Sequence, residues 1–362
     1  MFAVRLFLLV LAIGANAQQW DYDDPDKNVN HWPDLYPECA FQRQSPIDLP
    51  IGSAQCDEPL LLQWESILEH FVILNTGHSL KVIPFEISTE GEGDLSGLEV
   101  LHHRNDTAIK LTNSFYNTYE SPANREYCFD SLHFHWATTD DSGSEHTANG
   151  QAYPLEMHLV HFSCDYLVAS QAVNDYASGA VHEKHDDDNV LAVVGVFFEI
   201  GEANPVIEQM LEDVIMEGVS EYHDPADKFG DHLLQLYYSE FDITGLLPTN
   251  KEFIAYKGSL TTPPCYETVR WHVLKETMTV SQEQMDKFRS LLESTDEGDL
   301  MAPNYRPVQA LNDRTIYECQ EQVDAEQVKE GNGAGNGNGD GYNRGDYGKK
   351  QKYKQKEKVR VV

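Results

Sequence analysis

Hydrophobic positions along this chain come in short β-branched and aromatic runs punctuated by Gly, Pro, Asn and Asp. Runs of this kind, bounded by turn formers, read as strands. The pattern is clearest at Phe71–Leu74, Leu80–Pro84, Ala108–Leu111, Leu191–Ile200, Glu252–Tyr256 and Thr268–Leu274. Helical spacing is sparse. It is best over Asn204–Gly218 and over Ser281–Leu292, where Ser281 stands as a cap ahead of acidic and apolar residues. Nothing between Gln18 and Gln322 has the composition of a linker, so the pattern predicts one β-rich α+β domain over 18–322.

Two further apolar runs carry the chemistry. In Ser131–Trp136, alternation puts His133 and His135 on one strand face and Leu132, Phe134 and Trp136 on the other. In Leu155–Phe162, Glu156, His158, Val160 and Phe162 share a face. Paired antiparallel with His158 beside His133 and His135, the strands bring three imidazoles to one point. Three neutral nitrogen donors with a fourth position open describe a catalytic zinc site, because structural zinc sites are closed by four protein ligands. A cupin-type metal oxygenase also uses His-x-His on strands, with a glutamate a few residues on. Here the first glutamate after His135 is the distant Glu145, and that alternative is set aside.

The rest of the chain sets the surroundings. A basic start at Met1–Arg5, an apolar run at Leu6–Ile13 and Ala15-Asn-Ala17 make a secretory leader, with cleavage expected after Ala17 and residues 1–17 removed. The run falls short of the roughly 20 residues a membrane span needs, and no other stretch reaches that length, so no membrane span is expected. Cys39, Cys56, Cys128, Cys164, Cys265 and Cys319 include no Cys-x-x-Cys pair, and in a secreted chain they point to disulfides. Asn105 heads the Asn-Asp-Thr glycosylation sequon. A net charge of −34 argues against nucleic acid, which needs a basic face, and suits a salty exterior or cationic mineral surfaces. His182 and His185, beside Asp186–Asp188, lack the metalloprotease spacing and read as a solvated loop. Residues 331–341 are a Gly/Asn segment that cannot build a core, and lysines recur at every second position from Lys350 to Lys358. Residues 323–362 therefore read as a disordered tail suited to polyanions or carbonate-rich surfaces.

Seven segments make the chain similar to the alpha-class carbonic anhydrases. They are Gln44-Ser-Pro-Ile-Asp48, Leu74-Asn-Thr-Gly-His-Ser79, His133-Phe-His-Trp136, Ser144-Glu-His-Thr147, Glu156-Met-His-Leu-Val-His161, Tyr256-Lys-Gly-Ser-Leu-Thr-Thr-Pro-Pro264 and Asn304-Tyr-Arg-Pro307. The resemblance runs from about Trp20 to Cys319. It implies a large, twisted, mostly antiparallel central sheet with short flanking helices. It also implies Zn(2+) on His133, His135 and His158 at the bottom of a conical cleft, and reversible hydration of carbon dioxide to bicarbonate and a proton.

Roles follow residue by residue from that resemblance. Glu156 supports His158, and a backbone carbonyl near Asn304 supports His135. Ser131 stands where the family usually has a glutamine supporting His133, so its reach is expected to need a water. Thr261 is the gatekeeper hydroxyl, donating to an ionised Glu145. Val160, Val193, Leu260, Val269 and Trp271, with Thr261 and Thr262, line the carbon dioxide pocket. His78 is the proton shuttle, with Tyr22, Asn75 and Thr262 supporting its water chain. His146, His161 and Tyr256 belong to buried structure near the site. Cys39–Cys265 matches a bridge of secreted members. The His133/His158 register puts Cys128 nearly opposite Cys164, and Cys56 is left for Cys319. Glu86–Asp106 reads as an insertion. The Gly/Asn segment resembles nacrein-like shell matrix proteins, although here it is short and C-terminal. It supplies a second reading: a mineral-binding extracellular matrix protein, with calcium carbonate or acidic matrix polymers as partners.

Overall fold

A computed structural model describes residues 20–52, 54–55, 61–64, 67–68, 71–84, 109–113, 125–181, 189–216, 236–237, 241–292 and 299–319. The leader, Cys56, the Glu86–Asp106 insertion with Asn105, His182, His185 and the 323–362 tail lie outside the described residues.

Among the described residues one mixed sheet contains 13 strands. Eight of them position the site: β1 (Phe71–Asn75), β2 (Leu80–Pro84), β3 (Arg125–Trp136), β4 (Leu155–Ser163), β5 (Leu191–Ile200), β6 (Phe253–Gly258), β7 (Val269–Leu274) and β8 (Tyr317–Cys319). They lie side by side in the order β1-β2-β3-β4-β5-β7-β6-β8, antiparallel except for the parallel pair β5/β7. This is the large, mostly antiparallel sheet that the resemblance implied.

The sequence of β5 explains its central place. Leu191 to Phe198 is apolar throughout and wholly buried, the signature of a strand covered on both faces. Its side chains sort by parity into two cores. Ala192, Val194, Val196 and Phe198 join one cluster with Leu159, Ile207, Met210 and Phe288. Leu191, Val193 and Phe197 join the other with Phe162, Val269 and Trp271. The first face is covered by helices α2 (Pro205–Met216) and α3 (Gln282–Arg289), the second in part by α1 (Ala169–Ala177).

Both expected helices form; the second ends at Arg289, short of its expected Leu292, and the first is described as far as Met216. At the start of α2, Asn204 Oδ1 accepts from the Val206 and Ile207 amides, and Pro205 follows the cap. Before α3, Ser281 Oγ accepts from the Gln284 amide while Gln284 Oε1 accepts from the Ser281 amide, a reciprocal capping box. The sequence pattern does not announce α1, because its buried positions are the small residues Ala169, Ser170, Ala172 and Val173.

A bulge in β3 has consequences. Val160 pairs with Ser131, but the next residue, His161, pairs with Phe129, so Asp130 has no partner opposite it on β4. Cys128 therefore faces Phe162, and its bridge to Cys164 is diagonal to a residue just past the end of β4. Cys39 is bridged to Cys265 across 226 residues. Strand alternation turns His161 away from the three-histidine face, where it is buried against Phe129 with Nδ1 at the Leu159 carbonyl.

His161 and His272 are both buried on this rear face. Burial pushes His161 down to about 4 and His272 to about 3, the latter helped by Arg270. The unfolded chain binds protons at these rings with a pKa of about 6.5, so the unfolded state gains protons first as pH falls. Their contribution is full above pH 6.5 and is lost progressively as pH drops towards the folded values. By pH 5 each ring is expected to cost about 2 kcal/mol of stability relative to pH 7. Urea unfolding of His272→Leu should therefore lose less stability than wild type between pH 7 and pH 5; equal losses would contradict this.

Candidate active site

The pairing of β3 with β4 sets His158 directly opposite His133 and Glu156 opposite His135. One ligand atom from each of His133, His135 and His158 falls within 4.8 Å of the others. His135 and His158 are buried, and His133 is half-buried. Burial lowers the pKa of His133 and of His135, and the neighbouring imidazoles and Lys81 add to the effect at His133. The two rings are therefore neutral, as nitrogen ligands must be.

Acceptor-only partners fix two tautomers. His135 Nδ1 lies 2.8 Å from the Asn304 carbonyl, and His158 Nε2 lies 2.8 Å from Glu156 Oε1. Each of those nitrogens must carry the proton, which leaves lone pairs on His135 Nε2 and His158 Nδ1. These two atoms face each other at 3.1 Å. Glu145 Oε2, buried and without a hydrogen-bond partner, points at the same place, 3.5 Å from His135 Nε2 and 3.8 Å from His158 Nδ1. Converging lone pairs and a carboxylate oxygen repel one another unless a cation lies between them. An all-imidazole donor set with open sides fits zinc, with His133, His135 and His158 as the residues that would hold it.

Glu156 anchors the outer layer. Its Oε2 accepts from the Glu145 and His146 amides, each at 2.8 Å, and its Oε1 accepts from His146 Nδ1 at 2.7 Å and His158 Nε2 at 2.8 Å. Burial opposes ionisation here, yet His146 and His158 hold the carboxyl well below the usual range. The chain continues from His146 Nε2 to the Tyr256 hydroxyl at 2.6 Å and on to Ser45 Oγ at 2.9 Å. Trp271 packs edge-on against both His158 and His146 and donates to the Ser259 carbonyl at 3.0 Å.

The family model for eukaryotic-type carbonic anhydrase matches residues 27–320. The chain belongs to that family. The residues expected to line a carbon dioxide pocket come together here. Val160, Val193 and Trp271 sit in one cross-strand row, and Leu260 and Val269 pack in the same cluster. Thr261 is buried in the segment after β6, and Thr262 follows it, half-buried. The expected hydrogen bond from Thr261 to Glu145 is not formed, because Glu145 Oε2 has no partner. Glu145 Oε1 instead accepts from the Arg306 amide at 2.8 Å.

His78 stacks on Trp20, with ring centroids 3.9 Å apart and planes 18° apart, and Tyr22 meets it edge-on. This burial pushes the imidazole down to about 4. Asn75, expected on the water chain, gives its side chain to the Leu292 carbonyl and the Gly77 amide. Ser131 is buried, but its hydroxyl donates to Asp130 Oδ2 at 2.7 Å, and no hydrogen bond joins it to His133.

Several contacts that hold the site were not singled out from sequence. Asn304 accepts from the Trp136 amide at 2.6 Å through Oδ1 and donates through Nδ2 to the His78 carbonyl at 3.0 Å, so one side chain ties the His78 loop to β3. Gly195 lies opposite His158, where a Cβ would come within 3.2 Å of Glu156 Oε1. At Gly258 a Cβ would sit 2.1 Å from Ser45 Oγ. Both glycines carry a legible signal, a lone Gly in an otherwise side-chain-rich strand, which marks close approach.

Replacing Glu156 by glutamine puts an NH2 group among donors that need an acceptor. Zinc affinity of Glu156→Gln, measured by chelator competition, is expected to fall about 10- to 100-fold. An unchanged affinity would remove Glu156 from its role at His158.

Proposed function

We propose that this protein is a zinc-dependent carbonic anhydrase catalysing reversible hydration of carbon dioxide to bicarbonate and a proton. The observation that carries the reading is the convergence of His135 Nε2, His158 Nδ1 and Glu145 Oε2 on one point beside His133. When bound there, zinc supplies the Lewis acidity that makes water nucleophilic at neutral pH, the established chemistry of this family.

The chain's own residues do the rest. Glu156 and the Asn304 carbonyl orient two of the ligands and keep their donor nitrogens unprotonated. Thr261 is the hydroxyl that would orient the attacking water by accepting its hydrogen bond; its own proton would then have to turn to Glu145 Oε2, the oxygen left without a partner here. The Val160–Val193–Trp271 row with Leu260 and Val269 offers carbon dioxide an apolar wall that excludes water. His78 carries the product proton outward, and its stacking on Trp20 makes it a weak base in this geometry.

Stopped-flow hydration by the zinc-loaded chain should be fast and sulfonamide-sensitive, and His158→Ala should fall to the buffer baseline. A wild-type chain that holds zinc and stays at baseline would overturn the proposal. Trp20→Ala is expected to raise the His78 pKa from about 4 towards 6.5 in an NMR titration and to speed hydration in weak buffer. An unmoved titration would show that stacking is not what depresses it.

The setting is part of the proposal. A leader at 1–17 and the bridges Cys39–Cys265 and Cys128–Cys164 support a secreted protein, and no helix among the described residues is long and apolar enough to cross a membrane. The charge of −34 and the Gly/Asn and Lys-rich tail favour a second role, association with calcium carbonate or acidic matrix polymers in calcified tissue. Deleting 323–362 should weaken adsorption to calcite while leaving hydration intact; unchanged adsorption would remove the tail from that role.

A further inference from the structure

Of the three candidate ligands, His133 is the one without a visible outer support. His135 is held by the Asn304 carbonyl and His158 by Glu156, whereas neither ring nitrogen of His133 has a hydrogen bond among the described residues. An unanchored ligand costs metal affinity, because its ring must be fixed at the moment of binding. On its own strand face His133 is flanked by the candidate ligand His135 on one side and by Ser131, two residues earlier, on the other.

Ser131 does not stand alone. The β3 bulge leaves Asp130 outside the pairing with β4, and the Asp130 carboxylate takes the Ser131 hydroxyl proton at 2.7 Å. A serine that has committed its one proton keeps only acceptor capacity, and an anionic partner strengthens it. Lys81, paired with His133 across β2 and β3, lies with its ammonium 3.9 Å from the same Asp130 oxygen. The Lys81 and Asp130 side chains are 25% and 15% exposed, so the pair is shielded but not sealed.

We infer that Asp130 is a positioning residue for His133, acting through Ser131: it turns the Ser131 hydroxyl into an oriented acceptor that holds the outer N–H of His133 across one bridging water. The inference rests on the carbonic anhydrase reading for the identity of the metal, but not on turnover. Lys81 helps to hold Asp130 in place. A short serine backed by a carboxylate thus does the work of a longer amide side chain at this position.

The test uses the full chain loaded with zinc or cobalt, comparing wild type with Asp130→Ala, Ser131→Ala, the double variant, and Ser131→Gln placed in the Asp130→Ala background. The readouts are the rate of zinc release to a chelator and the visible spectrum of the cobalt form. Asp130→Ala and Ser131→Ala are each expected to speed zinc release about 10-fold, with the double variant no faster than Ser131→Ala alone. Ser131→Gln should restore slow release and the wild-type spectrum without Asp130, which a merely structural role for Asp130 would not allow. Zinc release from Asp130→Ala within about twofold of wild type, or effects that multiply in the double variant, would overturn the inference. A wild-type chain that binds zinc yet fails to hydrate carbon dioxide would sink the functional reading while leaving these ratios to decide the role of Asp130.

Discussion

One buried carboxylate organises the centre of this molecule. Glu156 is completely removed from solvent, a state that is costly for a charge unless every lone pair is used. Here four donors meet it: two amides from the Glu145–His146 turn and two imidazoles. That single arrangement fixes which nitrogen of His158 faces the site, fastens the turn that carries Glu145, and starts the His146–Tyr256–Ser45 chain towards the segment bearing Thr261. Removing any one donor leaves charge uncompensated in a place water does not reach, so the parts stand or fall together.

The sheet is what makes this arrangement affordable. Because β5 is covered on both faces, the strands beside it alternate between a rear core and the site face. Three rows then meet at the site: His135 with Glu156, His133 with His158 and Gly195, and Val160 with Val193 and Trp271. The candidate ligands, the support for one of them, and the apolar wall are adjacent rows of one pleated surface. Loops add what a flat surface cannot. Asn304 and Arg306 reach in from the chain after α3, and the Cys39–Cys265 bridge holds the N-terminal segment against the Thr261–Pro264 turn.

Much of this was legible in the sequence because alternation along a strand is a strong constraint. His133 and His135 share a face by arithmetic alone, and β5 declared itself by an unbroken apolar run. The capping chemistry at Ser281 read correctly as a helix start. Other features escaped for physical reasons. The bulge at Asp130 leaves no compositional trace, so the diagonal path of the Cys128–Cys164 bridge and the capture of the Ser131 hydroxyl were not visible. The stacking of His78 on Trp20 depends on the path of the N-terminal segment, which local pattern does not specify. Helix α1 buries small residues and so lacks the apolar stripe that betrays a helix.

Two overlapping sets of side chains compete for a metal: His133 with His135 and His158, and His146 with Glu156 and His158. They differ in which nitrogen of His158 is used, and hence in whether Glu156 orients a ligand or becomes one. The decisive measurement is a crystal structure of the zinc-loaded chain with anomalous scattering collected across the zinc edge. One peak is expected, bonded to His135 Nε2, His158 Nδ1 and His133, with the Glu156–His158 hydrogen bond intact. A peak on Glu156 and His146, or one that leaves His133 unbound, would contradict this.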